Sequence, residues 1–211
     1  MDFLDKLSLA GLVPVIAIND AEDAVPLCKA LAEGGLPVAE ITFRTAAAEE
    51  SIRRVHEALP EVLLCAGTVL TTDQVDRAVN AGAAAIVSPG LNPTVVKYCI
   101  DKGIPVCPGT SNPSDIEVAL GFGLKAVKVF PAEAIGGIKL IKSMAAPYGD
   151  LKFMPTGGVN ATNVRDYLAY DKILCCGGSW MVKGSLIEAG EFDKIVEMTK
   201  EAAAIVKEVR G

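Results

Sequence analysis

The sequence is poor in the side chains on which most metal chemistry draws. It has a single histidine, His56, and its six cysteines (28, 65, 99, 107, 175 and 176) form no Cys-x-x-Cys pair. That argues against a cysteine–histidine metal site, and no metal cofactor is expected. Most of the cysteines sit in apolar runs and read as reduced, buried thiols of a cytoplasmic enzyme; Cys175–Cys176 reads as packing in a strand. No apolar run reaches about 18 residues, so no membrane-spanning helix is expected. The opening "MDFLDKLSLAGLVPV" carries early acidic residues and no basic region ahead of an apolar stretch, so it does not read as a secretory signal. Positive charge is scarce as well: 20 Lys and Arg stand against 26 Asp and Glu, for a net charge of −6. Without a basic patch, nucleic acid is not an expected partner. An anionic ligand would have to be held locally, by a few placed donors.

What the chain does have is a large apolar fraction, 51% of its 211 residues, and a recurring unit. No linker or low-complexity tract interrupts it, so residues 1–211 are read as a single domain. The unit is a short apolar run, a turn rich in Gly, Pro, Ser or Thr, and an amphipathic stretch. The runs are 13–18, 38–44, 63–69, 84–89, 105–109, 126–131, 152–156 and 173–178. Between them, "DAEDAVPLCKALAEGG" starts acidic and ends on Gly-Gly, "TTDQVDRAVNAG" opens on threonine caps, and "NPTVVKYCIDKG" and "NPSDIEVALGFG" place Asn-Pro at cap and first helical position. The segment 190–210 has helical periodicity and reads as the last helix. Eight strands alternating with eight helices predict an α/β fold, a (β/α)8 TIM barrel. A doubly wound open sheet is the competitor, but "INDAED" after the first strand lacks the GxGxxG turn of that fold.

In a barrel the chemistry lies at the carboxyl ends of the strands. Side chains alternate along a strand. In "AVKVFP", Lys128 shares a face with Ala126 and Phe130, while Val127 and Val129 take the other. In "VAEITFR", Glu40, Thr42 and Arg44 share one face against Ala39, Ile41 and Phe43. The wholly apolar faces should meet the helices, so Lys128, Glu40, Thr42 and Arg44 converge on the barrel interior or its mouth. Lys125, three residues before Lys128, falls on the opposite face and reads as a solvated charge.

A lysine is seldom buried without a partner or a purpose. Burial disfavours an ammonium ion, and a neutral amine can attack a ketone to form an imine that serves as an electron sink. Cleavage of a carbon–carbon bond next to that sink needs a general acid/base, for which Glu40 is the inward carboxylate. Arg44 supplies a fork that matches a carboxylate. The three together suggest cleavage of a 2-keto acid; a structural ion pair between Lys128 and Glu40 is the competing reading. "PTGGVN" (155–160) and "GGSW" (177–180) follow the seventh and eighth runs, where barrels often bind phosphate on backbone N–H groups. Phe130 and Trp180 could equally be core, and His56, on a charged helix face, has no expected role.

The segments "GLPVAEITFRT", "CAGTVL", "VSPGLNP", "KVFPAE", "GGIKLIK", "KFMPTGGV" and "GGSWMVKG" resemble, in order and over nearly the whole chain, 2-keto-3-deoxy-6-phosphogluconate (KDPG) aldolases, including those that also cleave 4-hydroxy-2-oxoglutarate (KHG). The resemblance implies a class I, metal-free aldolase on a (β/α)8 barrel, a homotrimer without cofactor other than its own lysine. By motif it implies Lys128 as the Schiff-base lysine and Glu40 as the acid/base. Arg44 and Thr68 would hold the pyruvate carboxylate end, Phe130 would lie beside the imine, and Thr156 and Pro89 would line the pocket. Gly157, Gly158 and Ser179 would cradle the phosphate. The expected reaction turns 2-dehydro-3-deoxy-6-phosphogluconate into pyruvate and glyceraldehyde 3-phosphate. The galactonate epimer, KHG, and a non-catalytic sugar-phosphate-binding barrel are the alternatives. Two departures stand out: some members carry an arginine where the first strand ends in "VIAIND", and Cys65 replaces a glycine common before "AGTV".

Overall fold

A computed structural model describes residues 2–211. The chain starts with a helix that the sequence reading did not contain, α1 (Phe3–Ala10), which Asp2 and Asp5 open with a reciprocal capping box and Gly11 closes in the left-handed conformation. Strands and helices then alternate: β1 (Leu12–Ile16), α2 (Ala24–Glu33), β2 (Val38–Thr42), α3 (Ala48–Ala58), β3 (Leu63–Gly67), α4 (Thr72–Asn80), β4 (Ala85–Val87), α5 (Pro93–Asp101), β5 (Val106–Cys107) and β6 (Gly109–Thr110). They continue with α6 (Pro113–Gly121), β7 (Ala126–Val129), α7 (Gly137–Ala145), β8 (Lys152–Pro155), α8 (Val164–Leu168), β9 (Cys176–Gly178), α9 (Gly184–Glu188) and α10 (Phe192–Arg210). The caps read from sequence are present: Thr71 accepts from Gln74 N, Asn92 from Thr94 N and Asn112 from Asp115 N.

The closed eight-stranded barrel is corrected. Among the described residues nine strands form two parallel sheets: a six-stranded half-barrel in the order β5-β4-β3-β2-β1-β9, and a three-stranded sheet, β6-β7-β8. The fifth apolar run, read as one strand over 105–109, breaks in two at Pro108, which has no N–H to give to a ladder. At the other seam the two sheets meet, among the described residues, only through isolated parallel bridges: Phe153 of β8 to Ile173, and Thr156, just past β8, to Gly177 of β9. Pro155 lies between those bridges and again removes a donor.

The strands are short and buried on both sides, as parallel strands under helices are. All five residues of β2 and all four of β7 are buried. The register across β2 and β3 sets Glu40 against Cys65 and Thr42 against Gly67, and that across β6 and β7 sets Gly109 against Lys128. The polar residues of the two sheets thereby face one another across the interior.

Candidate active site

Lys128, near the end of β7, and Glu40, in the middle of β2, lie in different sheets and meet. Lys128 Nζ is 3.1 Å from Glu40 Oε1 and donates to it. Both residues are almost completely buried, Lys128 at 4% and Glu40 at 1% exposure. The other carboxylate oxygen, Oε2, is buried and has no hydrogen-bond partner among the described residues. A buried acceptor left open costs free energy that a purely structural ion pair would recover by satisfying it. Gly67 on β3 leaves the room for Glu40: a Cβ there would lie 2.3 Å from Oε1 and 2.7 Å from Cγ.

The backbone of Lys128 is held from β5–β6. Its N–H donates to Pro108 O at 2.9 Å, and its carbonyl accepts from Thr110 Oγ1 at 3.0 Å. Thr110 was not singled out from the sequence; it directly follows the fifth apolar run, 105–109. Around the pair lie Cys65 and Cys107, both buried. Burial pushes the Cys107 thiol up to about 12 and the Cys65 thiol higher, the Glu40 carboxylate adding to the effect at Cys65. The thiols stay protonated and do not compete with Lys128 as nucleophiles.

Arg44 lies just beyond β2, exposed, and its Nε donates to Thr42 Oγ1 at 3.2 Å, while Thr42 Oγ1 donates to Ile16 O at 2.8 Å. Thr42 is therefore a hydrogen-bonded support under Arg44. Thr68 follows β3 with a φ of 56°, the one non-glycine residue with positive φ among the described residues. Such a conformation in a β-branched residue is costly and collects at functional sites. Pro89 follows β4, and its carbonyl oxygen would lie 2.0 Å from a Cβ on Gly109. Phe130 leaves β7 with its ring centroid 5.6 Å from Lys128 Nζ and is 37% exposed, so it borders the lysine rather than filling the core.

Thr156 lies just past β8. It is buried, its Oγ1 has no partner among the described residues, and a Cβ on Gly177 would lie 2.3 Å from that oxygen. Gly157 and Gly158 turn away from it with φ of 98° and 83°, a conformation open to glycine. Ser179, exposed, follows β9, and the Trp180 ring folds back over Gly178, where a Cβ would lie 2.2 Å from Cζ3. The two glycine turns therefore leave adjacent strands, joined by the bridge from Thr156 to Gly177. Lys125 is exposed and away from the pair, and His56 is exposed on α3.

A buried amine against a buried carboxylate, where parallel strands end, defines an α/β enzyme site suited to amine chemistry. The comparisons with known proteins agree. The family model for aldolases, KDPG and KHG aldolase, matches residues 4–198. The chain is 49% identical over 204 residues to the 2-dehydro-3-deoxy-phosphogluconate aldolase of Haemophilus influenzae, covering 97% of this chain and 96% of that protein. Among solved structures it is similar to the KDPG aldolase of Zymomonas mobilis ZM4 with 3-phosphoglycerate, at a TM-score of 0.90 and 39% identity, covering 96% of each chain. It is also similar to the KDPG aldolase of Legionella pneumophila with pyruvate captured as a covalent carbinolamine intermediate, at a TM-score of 0.91 and 35% identity, covering 95% of this chain and 97% of that one. The chain belongs to the KDPG and KHG aldolase family, a family of lyases.

Proposed function

We propose that this protein is a class I aldolase that cleaves 2-dehydro-3-deoxy-6-phosphogluconate to pyruvate and glyceraldehyde 3-phosphate through an imine on Lys128. The observation that carries the reading is the contact of 3.1 Å between Lys128 Nζ and Glu40 Oε1, with Glu40 Oε2 left open. The Lys128 amine adds to C2 of the substrate, and loss of water from the carbinolamine gives the iminium ion. Glu40, through a water, takes the proton of the C4 hydroxyl. C3–C4 breaks, its electron pair enters the iminium to form an enamine, and C4 leaves as the aldehyde. Protonation at C3 and hydrolysis then release pyruvate and restore the amine.

Arg44, steadied by Thr42, and Thr68 hold the pyruvate carboxylate; Phe130, Thr156 and Pro89 line the space around the imine. Gly157, Gly158 and Ser179 offer the phosphate backbone and hydroxyl donors. The iminium supplies the electron sink that a metal would otherwise provide, so the enzyme works without one. KHG is a second substrate on this reading. Asn19, beyond β1, donates to Glu188 at 3.0 Å and presents no cation, so the phosphate rests mainly on those backbone N–H groups and Ser179. A homotrimer in the cytoplasm completes the reading, and six free thiols suit a reducing compartment.

The test is pyruvate plus borohydride. One reduced pyruvyl adduct, mapped to Lys128, with loss of cleavage, is the expected result. An adduct on Lys125, or activity retained without any adduct, would leave Lys128 as the structural partner of Glu40.

A further inference from the structure

Glu133, just past β7, is an exposed carboxylate that makes no ion pair among the described residues, yet its position is closely specified. Its backbone N–H donates to Gly157 O at 3.0 Å, and the preceding Ala132 N–H donates to Thr156 O at 2.8 Å. Its side chain runs beneath the Gly157–Gly158 turn: a Cβ on Gly158 would lie 2.5 Å from Glu133 Cβ and 2.6 Å from Cγ. The side-chain atoms set against Gly158 are the methylenes. The carboxylate is carried the other way, toward the start of α7, where a Cβ on Gly137 would lie 3.0 Å from Oε1 and 3.3 Å from Tyr167 Oη. There the hydroxyl of Tyr167, a fully buried side chain on α8, donates to Glu133 Oε1. Burial, and next the Glu133 carboxylate, push the Tyr167 phenol well above its usual range, so it keeps the proton it donates. The far side of the turn is held too: Gly158 O accepts from Asn160 Nδ2 at 3.0 Å and from Asn163 Nδ2 at 3.1 Å.

We infer that Tyr167 is a positioning residue for the substrate's phosphate, its hydroxyl holding the Glu133 carboxylate back from the Gly157–Gly158 turn. The inference rests on the reading that this turn cradles the phosphate. A carboxylate one side-chain rotation from a phosphate dianion would repel it at short range, where water screens the two charges only in part. The hydroxyl fixes that rotation and lets the methylenes support the turn while the charge faces away.

The experiment compares two readouts: KM for the phosphorylated substrate, and the rate of borohydride trapping at subsaturating pyruvate, which involves no phosphate. Melting temperatures confirm folding. Tyr167→Phe should raise KM about five- to tenfold, the scale of one ordinary net hydrogen bond, and leave kcat and pyruvate trapping within about twofold. The double variant Tyr167→Phe/Glu133→Gln should bring KM back, because the amide carries no charge to repel. A Tyr167→Phe enzyme that changes in both readouts alike, or in neither, or whose KM the second substitution does not restore, overturns the inference. Gly158→Ala separates this from failure of the underlying reading. It disturbs the turn directly and should raise the same KM with trapping intact. If it spares KM or damages both readouts equally, the phosphate does not lie on this turn, and the role assigned to Tyr167 goes with it.

Discussion

Replacing Gly67 by alanine should disable catalysis by moving one carboxylate. Gly67 ends β3 opposite Thr42 in register, and its φ is not positive, so an alanine fits the backbone there. The new methyl group would instead meet Glu40, at 2.3 Å from Oε1, 2.7 Å from Cγ and 2.9 Å from Cδ. Ordinary van der Waals contact begins at roughly 3.5 Å, so the carboxylate must retreat by about 1 Å. It has one hydrogen-bond partner to leave among the described residues, Lys128 Nζ at 3.1 Å. A displacement of about 1 Å at a reacting group can cost about 100-fold in rate, or about 2.7 kcal/mol of barrier. The overpacking should cost about 1–3 kcal/mol of stability, well short of unfolding the chain. The assay is coupled pyruvate release for kcat, with borohydride trapping beside it to show that Lys128 still forms the imine. The expected result is a kcat lower by about two orders of magnitude with trapping retained. Combining Gly67→Ala with Glu40→Gln should be little worse than either alone, since both remove the same contribution. A Gly67→Ala enzyme with kcat within about threefold of the parent, or losses that multiply in the double variant, would refute the placement of Glu40 as the proton carrier.

Two predictions concern stability. Burial raises Cys28, Cys107 and Cys176 to about 12 and Cys99 to about 11, Cys65 higher still, and Cys175 well above the ordinary thiol range. The folded chain therefore keeps thiol protons that the unfolded chain releases: the contribution is complete below about pH 8.5 and is lost as pH climbs toward 12, at up to about 1.4 kcal/mol per pH unit for each thiol. Urea midpoints should drop steeply between pH 8.5 and 10 and less so in Cys28→Ala; a flat profile would count against the buried thiols. Near the C-terminus, Arg210 donates to Leu174 O at 2.8 Å, Ile173 O at 2.7 Å and Ser8 O at 3.1 Å, joining α10 to the segment before β9 and to α1. Arg210→Met should remove about 2–4 kcal/mol and lower the melting temperature by roughly 5–10 °C; a change under about 1 °C would show that these contacts contribute nothing net.

Two-residue alternation was enough to bring Lys128, Glu40, Thr42 and Arg44 toward one place, because a strand imposes that period whatever sheet it joins. The glycine turns after β8 and β9 were legible for a similar reason: their residues are adjacent in the chain. Tyr167 and Glu133 were not, since they are 34 positions apart and meet only after α7 and β8 have packed. Neither residue type announces the contact; a tyrosine in "VRDYL" reads as one apolar residue on a short helix. The α1 cap was missed because Asp at both ends of a capping box is a weak signal beside the usual Ser or Thr with Glu.

The barrel expectation failed where hydrogen-bond donors are missing, and the failure bears on the site. Apolar runs separated by helices predict parallel strands, but they do not count N–H groups. At Pro108 the ladder loses a donor and β5 gives way to β6. The proline carbonyl is still there, and the strand that takes it is β7: Lys128 N–H donates to Pro108 O at 2.9 Å, and Thr110 Oγ1 closes on Lys128 O at 3.0 Å. The residue flanked by the interruption is thus the one whose side chain must cross to the other sheet. The β6-β7-β8 sheet carries Lys128, with Thr156 just past β8; the half-barrel carries Glu40, with Arg44 and Thr68 just past β2 and β3; and the amine–carboxylate contact spans the two. An unbroken ladder would set each strand's position by its neighbour's register. Two sheets joined at an edge only by isolated bridges instead let side-chain packing set the separation of lysine and glutamate, and Gly67 is where that packing leaves the carboxylate its room.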